Sequence, residues 1–67
     1  MKQFDLTNAF DDSAFSILGY TMNAMKRCNF SEAEVDQYKK DAMSGDYNYL
    51  LSISADMIDK CNSKLNG

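Results

Sequence analysis

The sequence predicts a compact all-α fold, a three-helix bundle with short connections, in a single domain that spans residues 1–67. Three segments repeat their apolar residues at helical spacing, and the boundaries between them hold residues that start or end helices. Proline is absent and glycine occurs three times, so little in the chain interrupts a helix. A chain this short buries only about 60% of the surface of its unfolded form, which makes its core marginal.

The first helix is predicted over residues 8–28, with Asn8 as its N-cap. Its charges match the helix dipole, with acidic residues at the start and basic residues at the end: Asp11, Asp12, Lys26 and Arg27. The apolar stripe comprises Phe15, Leu18, Met22 and Met25, and is widened by Phe10, Ala14, Ile17 and Cys28. Gly19 interrupts this helix, and we interpret it as a close contact with another helix or, alternatively, as a kink.

The connection between the first and second helices carries the strongest local signal. Ser31 and Glu34 have the spacing of a capping box, in which each side chain binds the backbone N–H of the other residue. Phe30 and Val35 flank this box in the positions of a hydrophobic staple. Asn29 precedes it, and asparagine tolerates the left-handed conformation that ends helices. A connection this short makes the two helices close neighbours.

The second helix is predicted over residues 32–43 and the third over residues 47–63. Ser44-Gly45 ends the second helix, with glycine in its usual C-terminal position, and Asp46 caps the third. On the second helix the predicted buried residues are Val35, Tyr38 and Ala42, and the predicted exposed residues are Glu32, Asp36, Lys39 and Lys40.

The third helix carries an apolar surface broader than two neighbouring helices need. One stripe comprises Leu50, Ile53 or Ser54, Met57, Cys61 and Leu65, and a second comprises Tyr47, Leu51 and Ile58. We therefore expect another chain to cover part of this surface, together with the N-terminal Phe4 and Leu6. The candidate interface residues are Tyr47, Tyr49, Leu51, Ile58 and Phe4.

Two cysteines, Cys28 and Cys61, are expected at the same end of a bundle whose helices run up, down and up. A disulfide between them is geometrically permitted. The N-terminus shows no secretion signal, so we expect a cytoplasmic, reducing location in which both thiols stay reduced. No apolar run reaches the roughly 20 residues of a membrane-spanning helix, and no membrane association is expected.

The composition disfavours a metal site, a cofactor and catalysis. Histidine is absent and the two cysteines are far apart, whereas a structural zinc site needs about four good ligands. The carboxylates lie at helix starts or on predicted solvent-facing sides, and a thiol without histidine lacks its usual activating base. We therefore expect no catalytic residues, and the protein is predicted not to be an enzyme.

Nucleic-acid binding is disfavoured by a formal net charge of −3. A helix-turn-helix DNA-binding protein remains an alternative, since the second and third helices are joined by a short turn containing glycine. Its recognition helix would begin Asp46-Tyr47-Asn48-Tyr49 and holds no arginine. Another alternative is an oligomeric nucleotide-binding protein, with an aromatic ring stacked on the base and basic side chains on the phosphates: Tyr47 or Tyr49, and Lys26, Arg27, Lys39 or Lys40.

Two strings in the C-terminal half carry a resemblance to a known group of proteins. They are Ser31-Glu32-Ala33-Glu34-Val35-Asp36-Gln37-Tyr38 and Ala42-Met43-Ser44-Gly45-Asp46-Tyr47-Asn48-Tyr49-Leu50-Leu51. This half of the chain resembles short uncharacterised proteins encoded by phages, prophages and other mobile elements of Firmicutes. The resemblance implies a mobile-element origin and brings no established activity, so no functional residues are carried over from it.

These observations together favour a small, non-enzymatic helical protein that acts by protein–protein interaction and self-association. The expected partner is a second copy of the chain or a protein of the host or the phage. The expectation rests on the surplus apolar surface of the third helix and on the lack of catalytic groups.

Overall fold

Three α-helices form the fold: α1 spans Ala14–Arg27, α2 spans Glu32–Met43 and α3 spans Tyr47–Asn66. This computed structural model describes residues 4–6, 9 and 13–66, with side chains up to residue 64. All three helices pack against one another, most extensively α1 against α3, which confirms the predicted three-helix bundle. Within the part of the chain that the structure describes, no helix has the length and apolar character needed to cross a membrane.

The helices run up, down and up. The start of α1, the end of α2 and the start of α3 line one groove, so these three helix ends lie at the same end of the bundle, which we call the open end. At the opposite end, which we call the closed end, the Cys28 thiol contacts the backbone of Cys61, and Lys64 Nζ lies 4.2 Å from the centre of the Phe30 ring. Each connection therefore only reverses the chain direction, which is why so few residues suffice.

The predicted start of the first helix at residue 8 is wrong, because α1 begins at Ala14. Ser13 is the N-cap, with an extended backbone (φ −70°, ψ 153°) and an Oγ that accepts a hydrogen bond from Ser16 N at 3.2 Å. The serine hydroxyl satisfies a free N–H of the first turn, which is the role predicted for Asn8. Asn8, Phe10 and the two aspartates predicted for the first turn lie outside the described residues.

The end of α1 is a Schellman motif, with Asn29 in the left-handed conformation (φ 66°). Asn29 N donates to Lys26 O at 3.2 Å, and Phe30 N donates to Met25 O at 3.0 Å. Both bonds satisfy carbonyl groups that the helix end would otherwise leave free. The predicted left-handed role of Asn29 is confirmed.

The start of α2 is the predicted capping box. Glu34 N donates to Ser31 Oγ at 3.1 Å, and Ser31 N donates to Glu34 Oε1 at 3.1 Å. The hydrogen bonds from Ser31 lower the pKa of the Glu34 carboxyl, because they stabilise its charged form. Both bounds of α2 are the predicted ones.

The connection from α2 to α3 is made by three residues, of which Gly45 and Asp46 fix its geometry. Asp46 Oδ1 accepts a hydrogen bond from Tyr49 N at 2.9 Å, which confirms the predicted cap of α3. Gly45 does not adopt the positive φ of the usual helix-ending glycine. It is required for space instead, since a Cβ there would lie 2.5 Å from Tyr49 Cδ2.

The core lies between the three helices and the N-terminal segment. The buried apolar residues are Phe4, Ile17, Leu18, Ala24, Met25, Cys28, Val35, Tyr38, Ala42, Leu50, Ile58 and Cys61. This set confirms the predicted buried face of α2, and the residues predicted to be exposed on α2 are exposed. On α3, Ser54 takes the core position for which Ile53 was the alternative, and Met57 is half-buried.

Two interpretations of α1 are wrong. Phe15 does not belong to the core stripe but is 81% exposed, because it lies in the first turn of α1 at the open end of the bundle. Gly19 makes no close helix–helix contact, since a Cβ added there would meet no atom within 4 Å. Gly19 therefore weakens α1 without providing space for a neighbour.

Polar side chains inside the core are hydrogen-bonded. The Thr21 hydroxyl donates to Ile17 O at 2.9 Å, and the hydroxyls of Tyr38 and Ser54 bond to each other between α2 and α3. Among the described residues, no buried side-chain nitrogen or oxygen lacks a hydrogen-bond partner. The core thus avoids the cost of an unpaired buried polar group, which is about 1–3 kcal/mol.

The N-terminal segment is fixed to α3 by Asn62. Phe4 N donates to Asn62 Oδ1 at 2.8 Å, and Asn62 Nδ2 donates to Phe4 O at 3.0 Å. The Phe4 ring meets the Tyr20 ring edge-on, with centroids 6.5 Å apart and planes at 78°. The segment therefore covers the core on the side formed by α1 and α3.

The two cysteines are free thiols buried at the closed end. The Cys28 thiol donates to Cys61 O at 3.6 Å, so the predicted proximity of the two residues is confirmed. Burial, together with the neighbouring Cys28 side chain, raises the pKa of the Cys61 thiol to about 12. At neutral pH the Cys61 thiol is protonated and therefore a poor nucleophile.

Replacing Gly19 with alanine is expected to stabilise the protein by up to about 1 kcal/mol, because alanine restricts the unfolded chain and meets no neighbour in the fold. Denaturant unfolding followed by circular dichroism measures this change in the free energy of unfolding. Gly45→Ala is the matched control and should destabilise the protein, since its Cβ would displace the Tyr49 ring. A destabilising Gly19→Ala would contradict the open space around Gly19.

Raising the pH above about 9 is expected to destabilise the protein, because Cys61 ionises with a pKa near 9.0 when unfolded and about 12 when folded. The stability contributed by the protonated thiol is complete below the unfolded value and declines as the pH rises toward the folded value. Thermal unfolding across this range measures the effect. The melting temperature of Cys61→Ala should fall less steeply with pH, and equal slopes in the two proteins would show that Cys61 is not the group responsible.

Candidate functional site

The most exposed large apolar side chains of the described chain gather at the open end of the bundle. Phe15 is 81% exposed, Met43 59% and Tyr47 42%. All three line one open groove of about 230 Å³, which we call the apolar groove. A single exposed apolar residue is ordinary on a protein surface, whereas a contiguous group of them marks a candidate interaction surface.

The apolar groove has a covered floor and an exposed rim. The floor contains the buried Leu18, Ala42 and Leu50; the rim contains Phe15, Met43 and Tyr47; and Ala14, Gly45 and Asp46 complete the lining. Among the described residues of this lining, Asp46 is the one that carries a charge, and its carboxylate accepts the hydrogen bond that caps α3. The described lining is therefore apolar in character, and the Asp46 carboxylate is already hydrogen-bonded to the backbone.

Helix ends place the three rim residues. Phe15 is the second residue of α1 and Tyr47 is the first residue of α3. Side chains on a helix lean toward its N-terminus, so those of the first turn extend past the start of their own helix. Met43 is the last residue of α2, where the chain turns away at Ser44. Each rim residue thus lies in the first or last turn of its helix.

Tyr49, one of the predicted interface residues, makes its contacts within the turn between α2 and α3. Its hydroxyl donates to Asp41 Oδ1 at 2.8 Å, and its ring lies against Gly45. The hydrogen bond to the Asp41 carboxylate raises the pKa of Tyr49, because it stabilises the protonated phenol. Tyr49 therefore stabilises the turn that forms one side of the apolar groove.

Of the predicted interface residues, Tyr47 is the one that lines the apolar groove. Leu51 and Leu6 are half-buried and pack against the core. Phe4 and Ile58 are only 8% and 4% exposed. The expectation that another chain covers Phe4 and Ile58 is corrected, because the chain's own core encloses them.

Phe15 and Met43 are groove residues that the sequence did not predict to lie on an interaction surface. Phe15 has the helical spacing of the buried stripe, and periodicity alone cannot show that the neighbouring helices end before covering it. Met43 stands directly before the helix-ending Ser44-Gly45, and this position was the available signal that it lies at an open end.

Two of the four basic residues in the nucleotide-binding alternative lie at the opposite end of the bundle from its tyrosines, whereas Lys40, in the last turn of α2, lies at the same end as they do. Lys26 and Arg27 are in the last turn of α1, whereas Tyr47 and Tyr49 are in the first turn of α3, at the other end of the bundle. Lys26 and Arg27 instead line a separate cleft with Tyr20.

No protein-family model matches the chain, and no curated protein or solved structure shows a match to it. Among the residues that the structure describes, no three cysteine, aspartate or glutamate side chains come together as they would around a metal ion. The candidate site is therefore defined by the geometry of the chain itself.

Proposed function

We propose that this protein is a small, non-enzymatic binding protein that self-associates through the apolar groove, with a second copy of the chain as the occupant. The observation that supports this proposal is the gathering of Phe15, Met43 and Tyr47 around one groove. Buried thiols such as Cys28 and Cys61 suit a reducing cytoplasm, which we propose as the location.

The energetic basis is the apolar surface that self-association would remove from water. Burying one large apolar side chain stabilises a complex by about 1.5–3 kcal/mol. A two-fold symmetric dimer would bury the rim residues of both copies. Their summed contribution is of the same order as the roughly 4–15 kcal/mol that association costs in lost freedom of motion.

A second copy suits this surface because the surface is self-complementary. Phe15 projects from the rim of the same groove that offers a concave apolar floor, so each copy presents both a projection and a recess. A two-fold symmetric interface requires both on one patch. Asp46 is the one charged residue in the described part of the lining, so across these residues two copies of net charge −3 oppose few like charges.

A protein of the host or of a phage is the alternative occupant, and a mobile-element origin would suit it. Such a partner would have to present an apolar helix face or loop to the same three rim residues. A chain that stays monomeric on its own would favour this alternative over self-association.

Replacing Phe15 with serine is expected to weaken self-association at least about tenfold, because each copy loses its most exposed apolar side chain. Sedimentation equilibrium over a range of protein concentrations measures the dissociation constant. Circular dichroism should show an unchanged fold, since Phe15 is not part of the core.

Gln37→Ser, which changes an exposed residue of α2 outside the apolar groove, is the matched control and should associate like the unmodified protein. A protein that remains monomeric up to about 1 mM would overturn the proposal of a self-associating chain. Equal association by the Phe15→Ser variant would place the interface elsewhere.

A further inference from the structure

A second surface carries positively charged side chains that belong neither to the core nor to the apolar groove. An open cleft of about 470 Å³ lies along the later half of α1 and is lined by Phe4, Tyr20, Asn23, Ala24, Lys26 and Arg27. We call it the basic cleft. Its volume lies within the range of small-ligand sites, which is about 300–1,000 Å³.

The aromatic floor of the basic cleft is fixed in place. Two hydrogen bonds with Asn62 hold the backbone of Phe4, at 2.8 Å and 3.0 Å. The Tyr20 ring is held by its edge-on contact with Phe4, and its hydroxyl accepts a hydrogen bond from Asp5 N at 3.0 Å. A ligand would therefore meet a preformed apolar floor and would not have to order it.

The polar rim of the basic cleft offers uncommitted hydrogen-bond donors. Asn23, Lys26 and Arg27 are exposed, and their side chains form no hydrogen bond or ion pair with any described residue. Glu32 and Asp36 share a neighbouring recess with Lys26, but neither carboxylate lies within 4.0 Å of its ammonium group. Arg27 is thus the least compensated positive charge of the cleft.

We propose that the basic cleft binds a small ligand that joins a planar aromatic body to a phosphate monoester. Two adjacent positive charges match the charge of nearly −2 on a phosphate monoester better than the single charge of a carboxylate. The Arg27 guanidinium can hold two phosphate oxygens at once, and Lys26 and Asn23 add further donors. The half-buried Tyr20 ring provides apolar contact for the aromatic body, and the buried Phe4 ring supports it from the core side.

Phenyl phosphate is the probe, because it is the smallest molecule with both features. Titration into isotopically labelled protein, followed by NMR, should give saturable shifts at Tyr20, Asn23 and Arg27 at millimolar concentration. Inorganic phosphate should bind at least about tenfold more weakly, since it lacks the aromatic body. Equal affinity for the two probes would overturn the assigned aromatic part of the ligand.

Arg27→Gln should weaken phenyl phosphate binding by about tenfold or more, and Lys26→Gln by less, because Lys26 also faces Glu32 and Asp36. Lys39→Gln is the matched control, since it removes the same charge from an exposed position on α2 outside the cleft. Binding that is unsaturable, or equally reduced by Lys39→Gln, would show general charge attraction and overturn the proposal. Because the Phe15→Ser variant leaves this cleft intact, loss of self-association and loss of ligand binding are separable results.

Discussion

The fold depends on hydrogen bonds inside a small core, where each buried polar side chain needs a partner within the protein. Two of these interactions join separate parts of the chain. The hydroxyls of Tyr38 and Ser54 connect α2 to α3, and the amide of Asn62 connects the Phe4 backbone to α3. An unpaired buried polar group would cost about 1–3 kcal/mol, so each pairing favours one relative placement of the two elements that it joins.

This arrangement leaves the two ends of the bundle chemically different. At the closed end, Cys28 and Cys61 are enclosed, and Lys64 lies over the Phe30 ring. At the open end, three helix termini converge and the described residues leave Phe15 largely uncovered. The apolar groove lies where these helix ends meet and where Phe15, Met43 and Tyr47 remain exposed.

The helix α1 contributes to both candidate surfaces but through different turns. Its first turns supply Phe15 and Leu18 to the apolar groove, and its last turns supply Arg27 to the basic cleft. The 14 residues of α1 span roughly 20 Å at the helical rise per residue, so both surfaces can be occupied at once. A protein that self-associates at one end could therefore carry a small ligand near the other.

The sequence by itself determined the helix boundaries that depend on adjacent residues: the Ser31–Glu34 capping box, the left-handed Asn29 and the Asp46 cap. These features are local, so their hydrogen bonds can be inferred from spacing alone. Only the tertiary structure decided which side chains are buried and which distant segments are hydrogen-bonded to each other. It exposed Phe15 and gave Asn62 a partner 58 residues away, because burial depends on where the neighbouring helices end and periodicity does not contain that information.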